Sequence, residues 1–96
     1  MSAVVGLATL TLVLPEASSL KDKRRVVKSV AARVRARFNV AVAEVDTHEV
    51  WTTITLAIAC ISTDGAHAHA MLEKVVDAIE HERLDAELLD YRIRLL

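Results

Sequence analysis

The sequence predicts an α+β fold in two layers, a four-stranded antiparallel sheet with two helices on one face. Three observations predict it. Two aliphatic runs alternate with period two, two stretches repeat their apolar residues with a period near 3.6, and the elements follow in the order βαββαβ. The 96 residues form one domain, 1–96, because two halves with separate cores would each be too small to hold together unaided.

The first strand is predicted over Val4 to Leu14. Ala8, Leu10, Leu12 and Leu14 alternate with Leu7, Thr9, Thr11 and Val13, and Pro15 stops the run. Both faces are largely apolar, which suits a central strand. Ser18 and Ser19 then offer N-caps, and Leu20, Val27, Val30, Ala31, Val34 and Phe38 recur at helical spacing, so a helix is predicted over 19–37. Asn39 breaks it. A second strand follows over Val40 to Val45, then a polar hairpin tip from Asp46 to Glu49. Val50 to Ile61, dominated by β-branched and aliphatic residues with Ile54, Leu56, Ile58 and Cys60 on one face, reads as the third strand. Ser62 to Gly65 turn the chain into a second helix over 65–82, striped by Leu72, Val75, Val76 and Ile79. In the last strand Leu89, Tyr91, Ile93 and Leu95 alternate with Asp90, Arg92 and Arg94. With right-handed crossovers this order gives a ferredoxin-like sandwich of strand order 4-1-3-2. The start of the first helix, the Asp46–Glu49 tip and the end of the second helix, with Glu80, Glu82 and Asp85, are then expected to meet at one end of the sheet.

Composition narrows the function classes. A single cysteine, Cys60, cannot form an internal disulfide, which argues against a secreted disulfide-framed module. The apolar stretch Ala3–Leu14 lacks a basic leader and is too short to span a bilayer, so no membrane partner and a cytoplasmic location are expected. The formal net charge of -1 hides an asymmetry. Residues 1–40 carry eight Lys/Arg against two acids, whereas residues 41–96 carry four against eleven. Where the two signs lie in space therefore decides the partners.

Lys21, Arg24, Lys28 and Arg35 project within roughly 60° of one another on the first helix, with Arg25 just outside them. A solvated surface explains such a stripe equally well. Against it, Lys21, Lys23 and Arg24 occupy the first turns, where the helix dipole is positive and each cation costs about 0.3–1 kcal/mol. Cations, the Ser19 hydroxyl and free backbone N–H groups together suit a phosphate. Ser19, Lys21, Lys23, Arg24, Arg25, Lys28, Arg33 and Arg35 are accordingly the candidate anion or nucleic-acid residues. The open sheet face would carry Leu7, Thr9, Thr55, Ala57 and Trp51, too apolar for a solvent face, so a homodimer interface is expected there.

Residues that look chemical carry weaker arguments. His67 and His69 point about 200° apart on a helix and cannot share an ion, and no carboxylate cluster stands at ligand spacing, so no metal and no cofactor are expected. His48 beside Asp46 and Glu49 is the better acid-base candidate, but such residues are ordinary in turns. Cys60 lies in an apolar run and reads as core. No catalytic residues emerge.

The run from Ser19 through Lys21-Asp22-Lys23-Arg24-Arg25-Val26 to Arg33-Val34-Arg35-Ala36-Arg37-Phe38-Asn39-Val40 and Asp46, followed by Trp51 and the strand ending at Ser62, resembles the YlxP-like family of small bacterial proteins. The resemblance covers nearly the whole chain. It implies a ferredoxin-like fold and a bacterial cytosolic origin, and it makes Leu20, Lys21, Lys23 and Arg24 motif residues without assigning them a role. Family genes stand near those for a translation initiation factor and a ribosome-binding factor, which points toward RNA by association. The reading is a non-enzymatic protein that docks RNA or a ribosome-assembly intermediate through its first helix; the alternative is a structural or regulatory homodimer that binds an acidic protein. A small-molecule site near Ser19 and His48 is a third.

Overall fold

A computed structural model describes residues 2–16, 18–82 and 86–96. The element order is β1 (Val4–Val13), α1 (Leu20–Arg37), β2 (Ala41–Glu44), β3 (Thr53–Ser62), α2 (Gly65–His81) and β4 (Glu87–Leu95). One antiparallel sheet runs in the order β2-β3-β1-β4, the predicted order read from the opposite edge. Ala8, Leu10, Leu12, Ile54, Leu56 and Ile58 fill the helix-facing side of the two central strands and are fully buried. They form one aliphatic cluster with Val30 and Val34 of α1 and Leu72, Val75, Val76 and Ile79 of α2. Cys60 belongs to the same cluster, as the sequence indicates.

The two helices divide the sheet. α1 covers the edge strand β2, whereas α2 lies across β1, β3 and β4. Gly6 leaves room for α2 against β1, because a Cβ there would stand 2.8 Å from a Leu72 methyl and 3.2 Å from the Cys60 sulfur. Caps set both helix starts. The Ser19 hydroxyl accepts from the Asp22 N–H at 3.1 Å, and the Asp64 carboxylate from the Ala66 N–H at 3.0 Å.

The bounds of β2, β3 and β4 differ most from the sequence reading, whereas β1, α1 and α2 each shift by one residue at one end. β3 starts at Thr53 rather than Val50, because the residues before it are taken up in a loop closed by Leu14 N–H to the Thr52 carbonyl at 2.8 Å. β2 is trimmed to Ala41–Glu44. β4 starts two residues early and carries a bulge against β1 between Thr11 and Leu12. Leu12 therefore pairs with Leu88, and Leu89, expected on the core side, is 69% exposed.

The expected meeting of three segments is also corrected. The 44–50 loop does pack on the start of α1, through Lys23. Glu82, at the C-cap of α2, instead reaches Arg33 at 3.0 Å and Arg37 at 3.9 Å in the last turns of α1. Val34 and Phe38 line a small gap there with Ala78 and Ile79, so packing of the helix ends brings the carboxylate to the far cations. Asp85 lies outside the described residues.

Candidate nucleic-acid interface

α1 is a helix with two charged populations. Advancing about 100° per residue, Lys23 falls within about 20° of both Val30 and Val34, in the middle of the apolar arc. Its side chain is buried accordingly, at 0% exposure. An uncompensated ammonium there would be very costly, and each of its three N–H donors has an acceptor. Glu44 Oε2 stands 2.7 Å away, the Val50 carbonyl 2.6 Å away, and the Thr47 carbonyl is the third partner. Lys23 thus pins the hairpin loop to the helix. Solvent anions have no access to it, so its assignment to the anion site is overturned.

The loop it holds is itself built around Thr47. Asp46 adopts φ 63°, a left-handed conformation that aspartate tolerates and that turns the chain sharply after β2. The Val45 carbonyl is then taken by the Thr47 N–H, and the Thr47 hydroxyl replaces it in the ladder by accepting from the Thr55 N–H at 2.8 Å. Glu44, 11% exposed, and Thr47 were missed as site residues in the sequence. A usable signal existed: Lys23, Val27, Val30 and Val34 stand at i, i+4, i+7 and i+11, which marks Lys23 as a core-facing lysine that needs a partner from a neighbouring segment.

The Ser19 assignment changes as well. Its hydroxyl accepts from the Asp22 N–H, while the Asp22 carboxylate takes the Ser18 N–H at 3.2 Å and the Ser18 hydroxyl at 2.8 Å. The Ser18 bonds, foremost that of the hydroxyl, hold the Asp22 carboxyl below its ordinary pKa. The helix start carries its own anion, so a phosphate cradle of free N–H groups is not what the capping residues form.

The remaining cations are exposed. Lys21, Arg24, Arg25 and Lys28 stand at i, i+3, i+4 and i+7 along one face of α1, and among the described residues none has an acidic side chain within ion-pair distance. Arg35 continues the line but gives a hydrogen bond to the Val42 carbonyl at 2.7 Å, on β2. Arg33 is on another flank and paired with Glu82 at 3.0 Å. A cleft of about 430 Å³ opens beside the stripe, with Val27, Ala31 and Val42 along its walls and Lys28 and Arg35 among its lining. Glu44 of β2 is also in that lining, so the cleft carries two cations and one carboxylate on apolar walls.

Other sequence candidates are scattered. His48 is exposed in the loop, His67 pairs with the Ser62 hydroxyl at 3.2 Å, and His69 approaches Glu73 at 3.9 Å. Asp77, Glu80 and His81 bring ligand atoms within 4.8 Å of one another on exposed turns of α2, a cluster that the sequence reading did not find. His81 Nδ1 lies 2.9 Å from the Asp77 carbonyl oxygen, which with the nearby carboxylate raises its pKa. On the open face, Leu7, Thr9, Thr55 and Ala57 are half-buried and share one side, whereas Trp51 stands outside β3 in the preceding turn, 49% exposed.

Fold and surface together define a ferredoxin-like α+β domain with a polybasic helix face. The chain belongs to the family described as "Protein of unknown function (DUF503)", which matches residues 5–93. It is 30% identical over 77 residues to "Uncharacterized protein YlxP" of Bacillus subtilis (strain 168), covering 80% of this chain and 84% of that one. The YlxP-like resemblance is thereby borne out. Among solved structures, the "De novo designed protein Foldit4" aligns with a TM-score of 0.55 at 17% identity, over 99% of this chain and 97% of the other, and it supports the fold alone. No helix among the described residues is long and apolar enough to cross a membrane.

Proposed function

We propose that the protein is a non-enzymatic cytoplasmic RNA-binding domain that docks single-stranded RNA, free or in a ribosome-assembly particle, through the exposed face of α1. The observation that carries the reading is the line Lys21, Arg24, Arg25 and Lys28, four solvent-facing cations spread over about 10 Å of helix. Three of the four lie in the first two turns, where the helix dipole opposes them. A row of phosphates offers matching charge at several points at once. The cleft between α1 and β2 favours a single strand, because its apolar walls can take the face of an unstacked base while Lys28 and Arg35 at its side hold the backbone, the Glu44 carboxylate in the same lining being neutralised by Lys23.

The test is binding of a fluorescent single-stranded RNA oligonucleotide by the wild type and by a variant carrying Lys21→Glu, Arg24→Glu, Arg25→Glu and Lys28→Glu. The wild type should lose affinity steeply with salt, with a slope near -3 in log K against log salt for about four phosphate contacts. The variant should not bind. Equal binding by the two proteins overturns the RNA reading, and tighter binding of the wild type to polyglutamate than to RNA replaces it with an acidic protein partner.

A further inference from the structure

The side of the sheet away from the helices has a symmetry of charge that its own chain leaves unused. The register puts Glu87, Asp90, Arg92 and Arg94 of β4 beside Val13, Thr11, Thr9 and Leu7 of β1, all on that open side. Among the described residues none of these four charged groups has an ion-pair partner. Their spacing is antisymmetric about the level where Leu10 pairs with Tyr91 and with Leu56. Asp90 and Arg92 flank that level at equal steps, and so do Glu87 and Arg94.

We propose that this face is the interface of a homodimer whose two-fold axis lies parallel to the sheet, perpendicular to the strands, and passes over the Leu10 level. That axis lays β4 over the partner's β4 in reverse. Asp90 then meets the partner's Arg92 and Glu87 meets the partner's Arg94, so each of these four charges finds its opposite. The alternative in-plane axis, parallel to the strands, would lay Arg92 and Arg94 over the Ala41 and Ala43 side of the partner and match no charge.

The central strands fit the same operator. Rotation about it brings Leu7 over Val13, Thr9 over Thr11, Ala59 over Thr53 and Ala57 over Thr55, so no bulky side chain meets another and each threonine of β3 faces an alanine. Small side chains let two sheets approach to about 10 Å, the spacing of a sandwich. Thr9, Thr11, Asp90, Arg92 and Arg94 border a depression of about 430 Å³ close to the axis, which leaves room for the partner's Arg92 to lie down against Asp90. Four strands about 4.8 Å apart present roughly 500 Å² per copy in plan, about 1,000 Å² in total, which is the size of a weak interface and points to micromolar association. This inference is independent of the RNA reading, since the cations of α1 lie in the other layer.

The experiment uses two variants of the full chain. One carries Glu87→Arg and Asp90→Arg, the other Arg92→Asp and Arg94→Asp. Light scattering at high micromolar concentration should find the wild type dimeric and each variant monomeric with a cooperative melt of its own. An equimolar mixture of the two should regain the mass of a one-to-one dimer. A monomeric wild type overturns the proposal, as does a variant that stays dimeric alone. Two folded variants that remain monomeric when mixed overturn it too.

Discussion

Lys23 and Arg24 are neighbours in the chain, carry the same formal charge and belong to the same helical turn, but they do opposite work. Lys23 points into the apolar arc, where Glu44 and the carbonyls of Thr47 and Val50 take its three protons. Arg24 lies about 100° further round, with Lys21, Arg25 and Lys28 on the solvent side. Charge type alone says nothing about role on an amphipathic helix. The angular position relative to the valines decides whether a cation organises the protein or faces a ligand.

The largest expected effect breaks the clasp. Lys23→Met should destabilise by about 3–5 kcal/mol, because Glu44 is left nearly buried without its partner. Lys23→Glu should be worse still, since two carboxylates would then face each other, whereas a simple helix-dipole argument predicts a slight gain. Denaturant titration of both checks this, and an unchanged midpoint in Lys23→Met would mean that Lys23 belongs with its exposed neighbours after all.

Thr47→Val sharpens the comparison at intermediate size. It leaves the Thr55 N–H without its acceptor at the mouth of β3, which should cost about 1–3 kcal/mol. Because the same loop supplies two of the carbonyls around Lys23, hydrogen exchange of the Thr55 amide should rise in Lys23→Met as well as in Thr47→Val. Independent behaviour of the two sites would show that the loop does not depend on the clasp.

On the exposed side the effects on folding should be small. Lys21→Glu is expected to raise stability by a few tenths of a kcal/mol, by complementing the helix dipole, while it weakens RNA binding. A lower melting temperature for this variant would show an unsuspected structural partner. Asp22 supplies the smallest effect, readable only in acid. Its folded pKa lies below the ordinary 3.8, chiefly through the Ser18 hydroxyl, so its contribution is present above 3.8 and is lost as the pH falls through the folded value. Asp22→Asn should therefore melt with a shallower loss of stability below pH 3.8 than the wild type.

The sequence by itself determined the α+β architecture, because alternation in Val4–Leu14 and Val50–Ile61 and the 3.6-residue repeat in both helices are local patterns that survive any packing. It also determined the exposed cations, whose helical spacing needs only the helix. Tertiary structure alone decided the bulge that turns Leu89 outward, the pairing of Glu82 with Arg33 and Arg37, and the closure of Glu44, Thr47 and Val50 around Lys23. Each of these joins segments far apart in the chain. A buried charge is stable only where distant groups supply its hydrogen bonds, and which groups those are depends on how the helix lies on the sheet. The sequence reading placed Lys23 with the exposed cations although its angular position is that of Val30 and Val34, and only the folded chain could say that Glu44 meets it there.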